Sequence, residues 1–215
     1  MSAAAARRPL GRPPATTGEE TRTRLLDAAR WCFAEFGYAG TSNRALAQRA
    51  GLTSGAIYHY FGSKHELYLA AYEEAQERIY SRYAGAVARC TSLRGELEAI
   101  LEESVRLNRE DRTLALFLAA RTNDARRYPE LGPEPGRTSP WNAFFGGMVE
   151  RAVHRGDIRV EQEAGVLLVL RVMTSGLMFA ASDDLTLQQN TVEALERLIG
   201  SSSMFGAPSL ANGAN

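Results

Sequence analysis

Tyr58-His59-Tyr60-Phe61 places two phenols, an imidazole and a phenyl ring in unbroken succession, between Gly55-Ala56 on one side and Gly62-Ser63-Lys64 on the other. At 100° per residue, with Ile57 set inward, Phe61 falls about 40° away and can anchor the same helix, while Gly55 and His59 point away from the core. Tyr58 and Ala56 flank that outer line. A solvated face would carry Glu, Lys and Gln; glycine, alanine, imidazole and phenol instead suit close approach to another surface. Nothing nearby offers nucleophilic or metal chemistry. His59, His65 and His154 have no metal-ligand spacing, and the chain has neither a glycine-rich phosphate loop nor a G-x-S-x-G elbow. No enzyme activity, cofactor or metal is expected.

The stretch must be positioned by its neighbours. A short helix from about Ser42 to Ala50, capped by Thr41 or Ser42 and stopped at Gly51, precedes one from about Ser54 to Tyr60 capped by Thr53. Joined across Gly51-Leu52-Thr53 they read as a helix-turn-helix, whose second helix can enter a DNA major groove. There Gly55 and Ala56 would admit the backbone to base edges, and Ser54 could bond either strand's bases. The hydroxyls of Thr41, Thr53, Tyr58 and Tyr60 suit phosphate oxygens. Lys64, the sole lysine of the chain, would stand at a helix start where a phosphate is already favoured. The plain alternatives stand beside this: such a shape also occurs in proteins that bind no nucleic acid, and a lone histidine is more often a surface group.

Nearly every other segment has helical period, which makes the chain all-α. A first helix opens on a Thr17/Glu20 capping box, carries Leu25, Ala29, Phe33 and Phe36 as one apolar stripe, and ends at Gly37. Ser63 and Glu66 launch a long fourth helix through Leu67, Ala71, Ala75 and Ile79. Further helices are expected at about 93–107, 111–127, 140–155 (Ser139 cap, Gly156 stop), 161–181 and 187–199, the last opened by a Thr186/Gln189 capping box. Residues 128–139 form the one substantial internal loop, and 1–16 and 201–215 are expected to be disordered.

The formal net charge is zero, but residues 1–64 carry nine basic groups against four acidic ones. A basic first third on an acidic remainder fits a nucleic-acid module fused to a non-binding body. Cys32 and Cys90 propose neither a disulfide framework nor a zinc knuckle. Without a signal-peptide run, and with Val166 to Ala181 interrupted by Arg171, a cytoplasmic protein without membrane association is expected. Arg7, Arg8 and Arg12 could reach a minor groove or belong to a solvated tail.

The segment GYAGTSNRALAQRAGLTSGAIYHYFGSKHEL closely resembles the DNA-binding signature of the tetracycline-repressor (TetR) family, over about residues 17–68. The match includes Phe36-Gly37-Tyr38, Thr41-Ser42, Leu46-Ala47, Ala50-Gly51, Gly55-Ala56-Ile57-Tyr58, Phe61 and Ser63-Lys64. It implies that Thr41, Arg44, Thr53, Ser54, Tyr58, His59, Tyr60 and Lys64 occupy DNA-contact positions, with Gly55 and Ala56 on the same face. Ser54 departs from the lysine or arginine that members often carry there. The resemblance further implies a three-helix DNA-binding domain (17–68) joined by a long helix to a helical effector-binding and dimerisation domain (69–200). The function implied is a ligand-responsive, homodimeric regulator, a repressor that binds a palindromic double-stranded operator and is released by a small, largely apolar effector.

The body carries no chemical motif of its own. Val166-Leu167-Leu168-Val169-Leu170, Val172, Met173, Leu177, Leu195, Leu198 and Ile199 supply more apolar surface than one helix pair needs, which fits a homodimer through the last two helices or a fully intramolecular core. Phe117, Arg121, Trp141, Phe144, Phe145, Met148, Met173 and Phe179 are the candidate effector-binding residues, or plain core, and Asn123 is a further polar candidate. Gly146-Gly147 would permit close packing or form a cavity wall. The alternative function is a regulator controlled by a protein partner, or an activator, without a small ligand.

Overall fold

A computed structural model describes residues 18–132, 139–202 and 205. Every regular element among them is helical: α1 (Gly18–Gly40), α2 (Asn43–Ala50), α3 (Ser54–Phe61), α4 (Lys64–Val87), α5 (Leu93–Glu110), α6 (Arg112–Arg127), α7 (Pro140–Arg155), α8 (Glu163–Asp183) and α9 (Leu185–Ser201), with short 3-10 turns at Pro129–Leu131 and Val160–Gln162. The protein is all-α.

Local chemistry sets most of the boundaries. Ser42, Ser63, Ser92 and Ser139 each accept a hydrogen bond from the backbone N–H three residues on, satisfying one of the donors a helix start leaves open. Gly51 and Gly156 close α2 and α7 in the left-handed conformation. At Gly37 (φ 65°, ψ 177°) the helical path of α1 breaks before one more turn to Gly40. The start of α9 differs from expectation. Asp184, not Thr186, is the cap, because its carboxylate reaches the Thr186 N–H and lets the helix begin at Leu185. Thr17 and the N-terminal arginines lie outside the described residues.

Two apolar cores follow. The first gathers Leu25, Ala29, Phe33, Leu46, Ile57, Phe61, Leu67 and Tyr68 from α1 to α4, and it is closed by Leu107, Leu114, Phe117 and Leu131 from beyond them. Phe117 of α6 stacks on Phe33 and meets Tyr68 edge-on. Phe36, expected on the apolar stripe, is instead half exposed and lies against the edge of Trp31, one residue before the break at Gly37. The second core holds Leu93, Leu97, Ile100, Phe145, Met148, Val149, Val166, Leu170, Leu177, Val192 and Ile199. Phe205 is buried in it, and the Ser202 carbonyl accepts from Arg94, so part of the expected disordered tail is packed; the rest of that tail lies outside the described residues.

The segment Val160–Asp183 is long and apolar enough to cross a membrane by length and composition. Its apolar side chains divide between two faces. Val166, Leu170 and Leu177 are buried in the body, whereas Leu168, Val172 and Phe179 are 68%, 73% and 69% exposed.

Candidate nucleic-acid interface

α3 is fixed to the head by one side. Ile57 is fully buried and Phe61 nearly so, with Arg22 of α1 lying 5.2 Å over the Phe61 ring. Ser54, Gly55, Tyr58 and His59 are exposed on the other side, as are Thr53 and, on α2, Arg44. Ala56 and Tyr60 are half-buried, and the His59 ring meets that of Tyr60 edge-on at 5.0 Å. A side chain at Gly55 would touch only the Thr53 hydroxyl, at 3.8 Å. The fold therefore does not require a glycine there, and the smallness of that position is available to something outside the chain. Gly51 and Gly62 differ, because both have positive φ and a Cβ there would collide with Arg24 and Glu66.

The turn and the outer face are held by contacts that spacing does not reveal. Arg24 donates to the Ala50 carbonyl at 2.5 Å and to that of Gly51 at 3.3 Å, closing the C-terminus of α2 from α1. Asn43 donates to the Tyr58 hydroxyl at 2.8 Å and so orients the phenol across the two helices. Asn43 was not singled out from the sequence; its position at the first turn of α2 was the only available signal. Arg49 lies 4.1 Å over the Trp31 ring at the exposed edge of the head.

Two expected contacts differ in their geometry, and one group in the charge count is turned inward. Thr41 is 1% exposed, and its hydroxyl lies within bonding distance of the Cys32 and Gly37 carbonyls, where it closes the broken end of α1 rather than facing a phosphate. Lys64 does not stand free at its helix start. Its ammonium donates to the carbonyls of Tyr38 (2.9 Å) and Thr41 (3.0 Å) and lies 4.3 Å over the Tyr38 ring, leaving one N–H for an outside acceptor. Burial lowers its pKa from the ordinary value. Arg30, counted among the basic groups of the first third, is buried and paired with Asp27, Glu74 and Asp111, so it adds no charge to a DNA-facing surface.

The body contains a cavity of about 350 Å³ bounded by α4 to α9, within the range of small-ligand sites. Arg121, Trp141 and Phe145 of the expected effector-binding residues line it. Phe117 does not, being part of the head core; Phe144 packs on Tyr80 and Tyr83; Met148 is buried in the body core. Met173 faces a separate small void beside Leu170 and Leu195, and Phe179 faces outward. Asn123 is exposed outside the cavity, and a Cβ on Gly146 would meet nothing within 4 Å. The lining residues that sequence reasoning missed include Tyr72, Asn108, Asp111, Arg171 and Gln188. Burial pushes the Tyr72 phenol up, opposed by the Arg121 guanidinium 3.4 Å over its ring. The Asp111 carboxyl is disfavoured as a charge by burial, yet hydrogen bonds from Thr113 and the charges of Arg30 and Arg78 hold it below the usual carboxylate value.

One physical path joins cavity and head. Asp124, one turn after Arg121 on α6, accepts from the Tyr38 N–H at 3.0 Å and from the Tyr68 hydroxyl at 3.2 Å. Tyr38 is the residue after the α1 break, and its carbonyl holds Lys64.

The model for bacterial regulatory proteins of the tetR family matches residues 25–71. The helix-turn-helix transcriptional repressor AcnR of Corynebacterium efficiens is 44% identical over 59 residues, 27% of this chain, and the chain thus spans less than a third (31%) of that relative's length. The helix-turn-helix transcriptional regulator UidR of Escherichia coli K12 is 29% identical over 143 residues, 55% of this chain and 73% of UidR. Among solved structures, Salmonella enterica GusR shares the fold at a TM-score of 0.67 and 23% identity, over 86% of this chain and 96% of GusR. A transcriptional regulator from Rhodococcus does so at 0.69 and 24%, over 83% and 94%. The matched segment, running from α1 through α3 into α4, is thus a helix-turn-helix segment of the kind found in the tetR family of bacterial regulatory proteins, and the fold is shared with solved structures over most of the chain's length.

Proposed function

We propose that the protein is a homodimeric, cytoplasmic repressor that reads a palindromic operator with α3 and leaves it when a small effector occupies the body cavity. The observation that carries this reading is the division of α3, with Ile57 and Phe61 locked inward and Ser54, Gly55, Tyr58 and His59 left facing out. Arg44, Thr53, Ala56 and Tyr60 border that face, and one N–H of Lys64 remains for a phosphate at its edge. Two copies would be joined through the exposed stripe of Leu168, Val172 and Phe179 on α8, with Leu187 and Leu198 on α9. Such a row of large apolar groups is what an interface between copies buries.

Release would run through α6. An effector that shifts Arg121 moves Asp124 with it, and Asp124 holds the corner of α1 on which α2 is set. Only a ligand that binds one of two head spacings better than the other can drive this. DNA from the region upstream of its own gene should be bound with sequence preference at moderate salt, as a dimer on two half-sites about one helical turn or its multiples apart. Phe179→Glu should give monomers that lose operator affinity. Sequence-indifferent binding by a stable dimer would sink the proposal.

A further inference from the structure

The cavity is polar at two ends and apolar between them. At one end the Asn108 side chain, 5% exposed, donates to the Ala181 carbonyl (3.0 Å) and to the Gln188 side-chain oxygen (2.8 Å), and Gln188 donates in turn to the Ser104 carbonyl. That chain of bonds fixes which way each amide points, because turning Asn108 over would set its oxygen against two acceptors. Its Oδ1 is left buried and without a partner. At the other end the Arg121 guanidinium stacks on Tyr72, and one Nη2 hydrogen goes to the Leu131 carbonyl. Its Nε is buried with no partner, and no carboxylate among the described residues pairs with it. The two ends are separated along α6. Arg112 at its start donates to the Ser182 and Asp183 carbonyls, next to Ala181. Arg121 comes nine residues later on the same helix.

The charges of the lining are also unbalanced. Asp111 is its acidic member, and that charge is already taken by Arg30 and Arg78. Arg171, at the wall formed by α7 and α8, bonds only to the neutral Asn142 side chain and lies over Trp141. Of the two guanidinium groups that line this largely apolar space, Arg171 is exposed to solvent, whereas Arg121 is half-buried and has no carboxylate partner among the described residues. Leaving a cation and an amide oxygen unmatched in a desolvated site is costly, and a ligand that supplies both partners recovers that cost.

We propose that the effector is an organic monocarboxylate with an apolar body and a hydrogen-bond donor, such as a hydroxyl, away from its carboxylate. Its carboxylate pairs with Arg121, whose Nε–H and a neighbouring Nη–H form the planar fork that matches two carboxylate oxygens. Its donor meets Asn108 Oδ1. Its body lies along Leu107, Leu114, Leu118 and Leu177. This deepens the regulatory reading above and rests on it for the consequence of binding, though not for binding itself.

The test is titration calorimetry and thermal unfolding of the full chain with decanoate, its ω-hydroxy derivative, decanamide and decylamine. The carboxylates should bind and raise the melting temperature, the ω-hydroxy acid more tightly than decanoate, and the amide and amine should bind at least about tenfold more weakly. Arg121→Met should erase the preference for carboxylate over amide, Arg121→Lys should retain part of it, and Asn108→Leu should erase only the preference for the hydroxyl. Absence of binding by both carboxylates, equal binding of the amine, or a carboxylate preference that survives in Arg121→Met overturns the proposal. Operator binding is read separately. Carboxylate binding by a protein with no operator preference would remove the regulatory reading and leave this ligand class standing, and operator binding indifferent to every carboxylate would do the reverse.

Discussion

The head and the body cavity each present polar groups that the chain itself does not satisfy, but they do so under opposite conditions. On α3 the unpartnered face is exposed, so water serves His59, Ser54 and the backbone around Gly55. In the cavity Asn108 Oδ1 and Arg121 Nε are buried. A hydrated group can wait for a partner at little cost, whereas a buried one destabilises the body until something pairs with it. On the proposed reading, the head suits an exchangeable macromolecular contact and the cavity a specific small one. The two are linked where they share a core, since Phe117 of α6 packs into the head and Asp124 holds the corner of α1.

That sharing can be broken most severely at Phe117. Phe117→Ala should cost about 3–5 kcal/mol, because it opens a cavity between Phe33 and Tyr68. Calorimetry should show one displaced transition for the whole chain; a head that melts first, with the body unchanged, would mean the two regions are energetically separate. A smaller change separates scaffold from interface within the head. Thr41→Val keeps the shape but removes the one buried O–H shared by the Cys32 and Gly37 carbonyls, so stability should fall by about 1–3 kcal/mol. If stability holds while DNA affinity drops, Thr41 belongs to the interface after all. Smallest and most local is His59→Ala, which should leave unfolding unchanged and relax preference at one base position by about 1–3 kcal/mol. Uniform weakening across sequences would assign His59 to the backbone instead.

The helices and the two faces of α3 were legible because their signals are local. A serine followed by its bonded N–H, a glycine at a left-handed stop, and Ile57 with Phe61 one turn on all act within a few residues. What was not legible depends on partners far along the chain. Arg24, Arg30 and Lys64 all count as positive charge in a tally of the first third, yet their guanidinium and ammonium groups are directed to Ala50, to Glu74 and Asp111, and to Tyr38. Composition ranks Phe117, Phe144, Phe145 and Met148 as equivalent cavity candidates. Only the packing of α6 and α7 decides that Phe145 lines the space while Phe117 closes the head. The same limit hid Asn108 and Gln188, whose amides are ordinary in sequence and become informative only when one oxygen is left unpaired.

The division of α3 into an anchored and a reading face can be tested at Gly55, whose Cβ would meet nothing closer than 3.8 Å within the chain. The decisive measurement is operator binding by Gly55→Leu alongside its thermal unfolding. Replacing a helical glycine should leave stability equal or raise it by up to about 1 kcal/mol, while the bulk added to the outer face should abolish sequence-preferring DNA binding. A Gly55→Leu protein that binds its operator as tightly as the original would contradict the assignment of this face to DNA.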